Sequence, residues 1–242
     1  MGNSRKHDTI FRFKKFHVKH ELSAMKVGTD GVLLGAWMDI STSTSILDIG
    51  SGSGLISLMA AQRCNAKITA IEIDPIAANE AKENISASPW ADRITIINDD
   101  FISWVKNNST AKYDHIVSNP PFFSNGIIAA DCNRAMARHG NGLDYNAIIS
   151  AAPFLLSKKG QLSLISPVNR KDDIIFFANM AKMNISRLTE VSSIDGQSPI
   201  RLLWELSIAS PKTVSQKLSI RKNGTEYSDE YMNLTKDFYL NM

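Results

Sequence analysis

Short apolar segments with the character of strands alternate with helical segments through most of this 242-residue chain. SILDIG, AKITAIEID, RITIIND and YDHIVS have the length and β-branched content of buried strands. The helical patterns GLISLMAAQRC and PIAANEAKENIS separate the first three of them. This alternation predicts an α/β fold in which helices cover both faces of a parallel sheet.

The second half of the chain continues the pattern and then departs from it. DYNAIISAAPFLL predicts a helix despite Pro153, GQLSLIS predicts a strand and KDDIIFFANMAKM predicts a helix. The extended segments ISRLTEVSSI and RLLWELSIA follow, and the short DGQSP between them predicts an antiparallel pair. We therefore expect an N-terminal flank at residues 1–44, an alternating core at residues 45–210 and a C-terminal extension at residues 211–242 that packs on the core.

Composition is that of an ordinary globular protein, with 43% hydrophobic and 21% charged residues. The chain contains no apolar run long enough to span a bilayer, and its first twenty residues lack the apolar core of a secretory signal. We expect a cytoplasmic protein with no membrane association and no obligate protein partner. Cys64 and Cys132 form no C-x-x-C pair, so the sequence predicts neither a disulfide framework nor a metal site.

Positive charge is concentrated in residues 1–20, the N-terminal arm. Its cations are Arg5, Lys6, Arg12, Lys14, Lys15 and Lys19. Asp8 is the only carboxylate of the arm, and the rest of the chain is slightly acidic. Phe11, Phe13 and Phe16 interleave with the cations, as expected where bases stack while phosphates are neutralised. The alternative is a solvated tail whose phenylalanines form a short strand packed on the core.

LDIGSGSG follows the first strand of the core and opens its first helix. Glycines there permit a tight turn and a close approach of backbone amides to a ligand. The pattern is G-x-G-x-G at Gly50, Gly52 and Gly54; the dinucleotide fingerprint would need a further glycine at position 55, which is Leu. Glu72 ends the next strand, where a carboxylate can accept hydrogen bonds from two ribose hydroxyls. Loop and carboxylate together predict a ribose-bearing cofactor, whereas the loop alone could be a plain turn.

Two further segments contain candidate ligand contacts. INDDF supplies Asp99 and Asp100, either of which can accept a hydrogen bond from an adenine amino group or can be a helix N-cap. Phe101 or Ile73 can pack on the adenine ring. In MKVGTDGVLLGAWM, Thr29 or Asp30 can cap a helix, and the glycines on both sides of Asp30 indicate a backbone that turns closely around a ligand.

Taken in order, LDIGSGSG, IEID, INDDF and SNPPF resemble the motif series of the class I S-adenosylmethionine-dependent methyltransferases over residues 45–210. The resemblance implies a Rossmann-like fold with a seven-stranded, mostly parallel sheet whose terminal hairpin inserts one antiparallel strand. It also implies S-adenosylmethionine as the cofactor and S-adenosylhomocysteine as the product, without a metal. The core residues expected to contact this cofactor are Asp48, Gly50, Ser51, Gly52, Gly54, Glu72, Ile73, Asp99, Asp100, Phe101 and Asn119.

SNPPFF follows the fourth strand of the core, and a Pro-Pro pair cannot continue a paired strand. Asn-Pro-Pro-aromatic resembles the signature of methyltransferases that modify planar, conjugated nitrogen. The Asn119 side-chain oxygen and the Pro120 carbonyl can each accept one N–H of an amino group, and the two prolines fix the backbone that aims this carbonyl. Phe122 offers a face for a flipped base. Asn119, Pro120, Pro121 and Phe122 are therefore candidate catalytic residues, with a simple strand-ending turn as the alternative.

The stretch SNGIIAADCNRAMARHGNGLD is long for a loop in a compact domain. We expect it to order over RNA, with Arg134 and Arg138 contacting phosphate. A plain surface helix that carries two arginines is the alternative, and His139 is not favoured as a catalytic base.

The flanks extend the resemblance to the whole chain. FRFKKFHVKHELSAMKVGTDGVLLGAW, NPPFF and LSIRKNGTEYSDEYMNLTKDFYL resemble the bacterial methyltransferases that act on N6 of adenine 37 in valine tRNA. This implies that tRNA is the partner, that Gly28, Thr29 and Asp30 help enclose the cofactor, and that residues 119–122 hold the adenine. Methylation of an rRNA base or a protein glutamine, a nicotinamide oxidoreductase and a non-catalytic RNA-binding module remain as alternatives.

Overall fold

The computed structural model describes residues 9–22, 26–108, 110–121, 143–209 and 212–242. The strands in these ranges are β1 (Ile10–Arg12), β2 (His17–Lys19), β3 (Ser45–Ile49), β4 (Lys67–Glu72), β5 (Ile94–Asn98), β6 (Tyr113–Ser118), β7 (Leu156–Pro167), β8 (Asn184–Ile194), β9 (Pro199–Ser207) and β10 (Val214–Arg221). The helices are α1 (Thr29–Trp37), α2 (Leu55–Arg63), α3 (Pro75–Ser86), α4 (Phe101–Asn107), α5 (Tyr145–Leu155), α6 (Lys171–Met180) and α7 (Asp229–Thr235). A 3-10 turn at Val168–Arg170 links β7 to α6. The predicted alternation of strands and helices is confirmed.

The main sheet has the strand order β10-β8-β9-β7-β6-β3-β4-β5. Strands β3 to β7 are mutually parallel, and β9 is antiparallel to both β7 and β8. The inserted antiparallel strand predicted from ISRLTEVSSI and RLLWELSIA is therefore confirmed. The sheet nevertheless has eight strands, where the sequence predicted seven. The additional strand is β10, which comes from the C-terminal extension and pairs in parallel with β8.

Two apolar layers cover the faces of the sheet. One layer contains buried side chains of α1, α2, α7 and the β1–β2 hairpin, and the other contains buried side chains of α4, α5 and α6. Strand residues alternate between the layers: Ile46 faces the first and Leu47 the second, as Leu203 and Trp204 do on β9. Helices on both faces are what the alternating sequence predicted.

The arm folds back on the far end of the chain. β1 and β2 form an antiparallel hairpin in which Phe13 and Phe16 stack at 4.6 Å between ring centroids, and Phe13 also stacks on Tyr239 at 6.1 Å. Both phenylalanines are buried, and the backbone N–H of Lys14 donates to Phe238 O at 2.8 Å. Phe11 in β1, and Phe13 and Phe16 in the turn of the hairpin, thus pack on the core, which was the alternative to base stacking.

Several predicted features lie outside the described residues. They are Arg5, Lys6, Phe122, Arg134, Arg138, Cys132 and His139. Within the described ranges, none of the helices combines the length and the apolar character that a bilayer span requires.

Candidate active site

The carboxyl ends of β3 and β6 lie side by side at the centre of the sheet, and the chain leaves them in opposite directions. From β3 it proceeds to β4 and β5, whereas from β6 it proceeds to β7 on the other side. Such a switch point opens a crevice above the carboxyl ends of the strands, which is where open α/β sheets bind ligands. The glycine loop, Glu72, Asp99 and Asn119 stand at or directly after the carboxyl ends of strands at this edge of the sheet.

The glycine loop turns directly after β3. Gly50, Gly52 and Gly54 have φ values of 70°, 53° and 81°, in the left-handed region that favours glycine. The N–H groups of Gly50 and Ser51 donate to Ile71 O at 2.9 and 3.0 Å, which ties the loop to β4. A Cβ atom on Gly52 would meet nothing within 4 Å. The backbone at Gly52 therefore borders open space that a ligand can fill.

Glu72 ends β4 and holds this loop. Its Oε2 accepts from the N–H of Gly52 at 2.8 Å, and its Oε1 accepts from the N–H of Asp74 at 2.9 Å. The residue is only 9% exposed. Each carboxylate oxygen has a second lone pair, so Glu72 can accept one hydroxyl on each oxygen while the backbone bonds persist. Two adjacent ribose hydroxyls present this donor pattern.

Asp48 lies beneath the glycine loop and is buried, with 1% of its surface exposed. The hydroxyl of Ser57 on α2 donates to its Oδ2 at 2.7 Å. Burial raises the pKa of Asp48 to about 7, although the bond from Ser57 opposes this rise. Asp48 thus contacts the first turn of α2 through Ser57, and its side chain supports the loop from below.

The structure shows which of the two aspartates after β5 caps a helix. Asp100 is the N-cap of α4, because its side chain accepts from the N–H of Ser103 at 2.9 Å. The Oδ1 of Asp99 accepts from the N–H of Asp100 at 2.8 Å, and its second oxygen has no such bond. Phe101 is buried in the core, whereas Ile73 is 65% exposed. Asp99 and Ile73 are therefore the better placed members of the two pairs for contacts with an adenine.

Asn119 follows β6 at the same edge of the sheet. Its Oδ1 is buried and has no hydrogen-bond partner among the described residues, and the same is true of the Oγ of Ser51. A Cβ atom built on Gly31 of α1 would lie 3.9 Å from Asn119 Nδ2. Buried acceptors in native proteins are normally satisfied, so both oxygens can accept from donors that a ligand supplies.

The first turn of α1 covers one side of the crevice. Gly28 is the N-cap of this helix and no side chain caps it, so the predicted cap at Thr29 or Asp30 is wrong. The carboxylate of Asp30 instead accepts from Nε of Arg201, with distances of 3.1 Å to Oδ1 and 2.9 Å to Oδ2. Arg201 was missed in the sequence because no motif surrounds it. Only the pairing of the antiparallel strand β9 brings it to this place.

The cations of the arm separate into two groups. Lys14 Nζ donates at 2.6 Å to Lys236 O and to Met242 O, and Lys19 Nζ lies 3.2 Å from Glu83. Arg12 and Lys15 are exposed.

The β1–β2 hairpin is attached to the glycine loop through Asn84 on α3. Asn84 donates through Nδ2 to Lys19 O at 2.8 Å and to Ser53 O at 2.9 Å.

Similar sequences were found along almost the entire chain. The family model of the methyltransferase small domain matches residues 22–174. The tRNA1(Val) (adenine(37)-N6)-methyltransferase of Bacteroides fragilis is 42% identical over 233 residues, which are 96% of this chain and 98% of that protein. The protein of the same name from Aliivibrio fischeri has the same identity and coverage.

Solved structures share the fold at low sequence identity. The predicted O-methyltransferase Atu636 from Agrobacterium tumefaciens has a TM-score of 0.69 and 19% identity, with 86% of this chain and 96% of that chain covered. SMU.776, whose structure contains SAH, has a TM-score of 0.63 and 13% identity, with 84% of this chain and 57% of that chain covered. These similarities show that the fold is that of the methyltransferases.

The raised pKa of Asp48 predicts that the site lowers stability at neutral pH. Between the ordinary pKa of 3.8 and about 7, the carboxyl ionises in the unfolded chain and stays protonated in the folded one. The contribution of Asp48 to the free energy of unfolding is therefore most favourable below pH 3.8. This contribution decreases as the pH rises to about 7. Asp48→Asn should remove this loss, worth about 1.4 kcal/mol for each unit of pKa difference.

Urea unfolding at pH 5 and pH 8 tests this prediction. Asp48→Asn should gain stability relative to the native protein on going from pH 5 to pH 8. Asp92→Asn, which changes an exposed carboxylate, should show no such gain. Equal pH dependence in all three proteins would mean that Asp48 titrates normally.

Proposed function

The chain belongs to the tRNA1(Val) (adenine(37)-N6)-methyltransferase family, and from this premise we propose that it methylates N6 of adenine 37 in valine tRNA with S-adenosylmethionine as the donor. The observation that carries the proposal is the buried, unpaired Oδ1 of Asn119 immediately before Pro120 and Pro121. An acceptor without a partner, followed by a carbonyl on a fixed backbone, is suited to the two hydrogens of an amino group.

The crevice fits S-adenosylmethionine on the chemistry of its donors and acceptors. Glu72 would accept the two ribose hydroxyls, and Asp99 would accept the adenine amino group while Ile73 packs on the ring. The left-handed glycine loop leaves open space where the cofactor would pass close to the backbone at Gly52. When bound, S-adenosylmethionine supplies an electrophilic methyl group on a sulfonium sulfur. Gly28, Thr29 and Asp30 would close the crevice from the side of α1.

The reaction demands a change in the target nitrogen. The lone pair of an exocyclic amine is delocalised into the adenine ring, so the nitrogen is a poor nucleophile. Asn119 Oδ1 and Pro120 O would each accept one N–H of the amine. These two hydrogen bonds would orient the amine so that the nitrogen lone pair points out of the plane that contains them. Pro120 and Pro121 restrict the backbone that carries the Pro120 carbonyl, so little reorganisation of this acceptor is needed as charge develops on the nitrogen.

Proton release needs no base with a special pKa. The nitrogen becomes cationic when the methyl group is added, and an arylammonium proton is acidic enough to pass to water. Asn119 Oδ1 and Pro120 O hold the N–H hydrogens until then. Phe122, which lies outside the described residues, is proposed as the stacking surface for the flipped adenine.

Recognition of tRNA is proposed for the basic surface of the chain. Arg12 and Lys15 are exposed and can reach phosphates, whereas Lys14 and Lys19 are engaged with the protein itself. Arg5, Lys6, Arg134 and Arg138 are proposed as further contacts. We also propose a cytoplasmic location, since the proposed substrate, mature tRNA, is found there.

Methylation of total tRNA tests the proposal. Purified protein is incubated with labelled S-adenosylmethionine and tRNA from a strain that lacks the modification, and the nucleosides and the isolated valine tRNA are analysed by mass spectrometry. We expect N6-methyladenosine at position 37. Label that appears on protein, or on a nucleoside other than N6-methyladenosine, would overturn the proposal.

Asn119→Ala should separate catalysis from cofactor binding. The variant loses an acceptor that orients the amine, so kcat should fall by about 10²- to 10³-fold, as for loss of one preorganised group in other enzymes. The affinity for S-adenosylmethionine, measured by calorimetry, should change little. Asn79→Ala on the exposed face of α3 is the matched control and should keep full activity. A parallel loss of cofactor affinity and turnover would assign Asn119 to the cofactor pocket instead.

A further inference from the structure

Two arginines stand at the carboxyl edge of the sheet beside Asn119, and no sequence motif includes them. Arg170 ends the 3-10 turn that follows β7, so it lies beyond the carboxyl end of that strand. Arg201 lies near the start of β9, and its Cα pairs with that of Pro167 at the end of β7. Because β9 runs antiparallel, its beginning meets the carboxyl ends of its parallel neighbours. The topology therefore brings both guanidinium groups to the edge where the crevice opens.

Tyr145 connects this pair of arginines to the crevice. Ser118 pairs with Leu164, so Asn119 lies next to Ile165 on β7. The hydroxyl of Tyr145 donates to Ile165 O at 3.0 Å, and the Arg170 guanidinium lies 5.8 Å from the centre of the Tyr145 ring. Burial raises the pKa of Tyr145, and the charges of Arg170 and Arg201 lower it. The Arg170 guanidinium is thus close to a phenol that contacts the strand beside Asn119, and Arg201 lies on the neighbouring strand β9 opposite Pro167.

Each arginine lies against a carboxylate. Arg170 Nε lies 2.9 Å from Asp173, and Arg201 Nε lies 2.9 Å from Asp30. The side chains of the two arginines keep 27% and 29% of their surface exposed, so neither is fully desolvated. Arg170 makes its ion pair through Nε, which is buried and forms no hydrogen bond within the described ranges. Neither Nη group of Arg170 is hydrogen-bonded to a residue in those ranges. Arg201 Nη1 donates to Ile200 O at 3.1 Å.

The arrangement suits an oxyanion with two or more accessible oxygens. A guanidinium presents parallel N–H groups that match phosphate, and pre-orientation by a carboxylate reduces the entropy lost on binding. The surrounding charges are mixed: Lys171 pairs with Glu190 at 3.4 Å, and Asp172 is exposed. These residues therefore do not form a diffuse basic patch. The two guanidinium groups are individual hydrogen-bond donors close to the place where the target adenine would enter.

We propose that Arg170 and Arg201 form a phosphate-binding subsite that holds the RNA backbone next to the target adenine. This inference rests on the proposed function, since it places the backbone beside the acceptors of Asn119 and Pro120. A nucleotide that is flipped into the crevice carries its own phosphates to the rim. Contacts at these phosphates position the base without reading its sequence.

Salt-dependent tRNA binding by Arg170→Gln and Arg201→Gln tests the subsite. Loss of one phosphate contact should reduce the slope of log K against log salt by about 0.7 to 0.9. Affinity at moderate salt should fall about fivefold to thirtyfold, as for loss of one charge-assisted hydrogen-bond pair. Lys67→Gln is the charge-matched control, because Lys67 is exposed at the opposite, amino end of β4. It should retain the slope and affinity of the native protein.

Calorimetry with S-adenosylmethionine distinguishes phosphate binding by the arginines from a loss of folding in the variants and from binding of the cofactor carboxylate. The affinity of Arg170→Gln for S-adenosylmethionine should equal that of the native protein, which also shows that the variant is folded. If Arg170→Gln and Lys67→Gln bind tRNA with the same slope, the subsite is wrong. It is also wrong if both arginine variants lose affinity for S-adenosylmethionine but not for tRNA, since the anion would then be the cofactor carboxylate.

Failure of the subsite and failure of the proposed function give different results. A native protein that methylates no tRNA refutes the function before any variant is compared. A native protein that methylates adenine 37, with arginine variants that bind tRNA normally, refutes the subsite alone.

Discussion

The parallel pairing of β3 with β6 is the constraint on which the rest of the site depends. Ile49 pairs with Ser118, and the Ser118 hydroxyl donates to Ile49 O at 2.7 Å. The residues that follow these two positions, the glycine loop and Asn119, must therefore leave the sheet side by side. Since every strand from β3 to β7 ends at the same edge, Glu72 and Asp99 reach that edge as well. The segments proposed to bind the cofactor and the substrate converge because of this register.

Polar groups in the crevice are held by backbone bonds, yet several retain binding capacity. Glu72 accepts two backbone N–H groups and keeps a lone pair on each oxygen. Asn119 Oδ1 and Ser51 Oγ are buried without a partner among the described residues. Leaving such groups unsatisfied costs about 1 to 3 kcal/mol each. Stability is lowered at the site, and the same groups are already positioned for a ligand that supplies the missing donors.

Local sequence patterns predicted most of the core because its elements obey local rules. The glycines at positions 50, 52 and 54 adopt the left-handed conformation that only glycine adopts readily, and Glu72 stands where its strand ends. Pro75 opens α3 as predicted, after the cap Asp74. In each case a residue type is required by backbone geometry within a few positions. Such requirements are visible in a single sequence.

Features that depend on distant pairing could not be predicted. β10 carries exposed residues such as Gln216 and Lys217, so its sequence has no buried-strand pattern, and only its pairing with β8 makes it a strand. Arg201 reaches Asp30 across 171 residues. The stacking of Phe13 on Tyr239 joins the two ends of the chain and decides between a core strand and a base-stacking arm. That Asp100 rather than Asp99 is the helix N-cap was visible only in the structure.

In the proposed reaction, Asn119 Oδ1 and Pro120 O bind the amino group that is methylated. A structure of the protein with S-adenosylhomocysteine and the anticodon stem-loop of valine tRNA would show this contact. We expect N6 of adenine 37 to lie about 3 Å from both oxygens, within hydrogen-bond distance. An adenine N6 bound elsewhere, with Asn119 Oδ1 accepting from the cofactor instead, would contradict it.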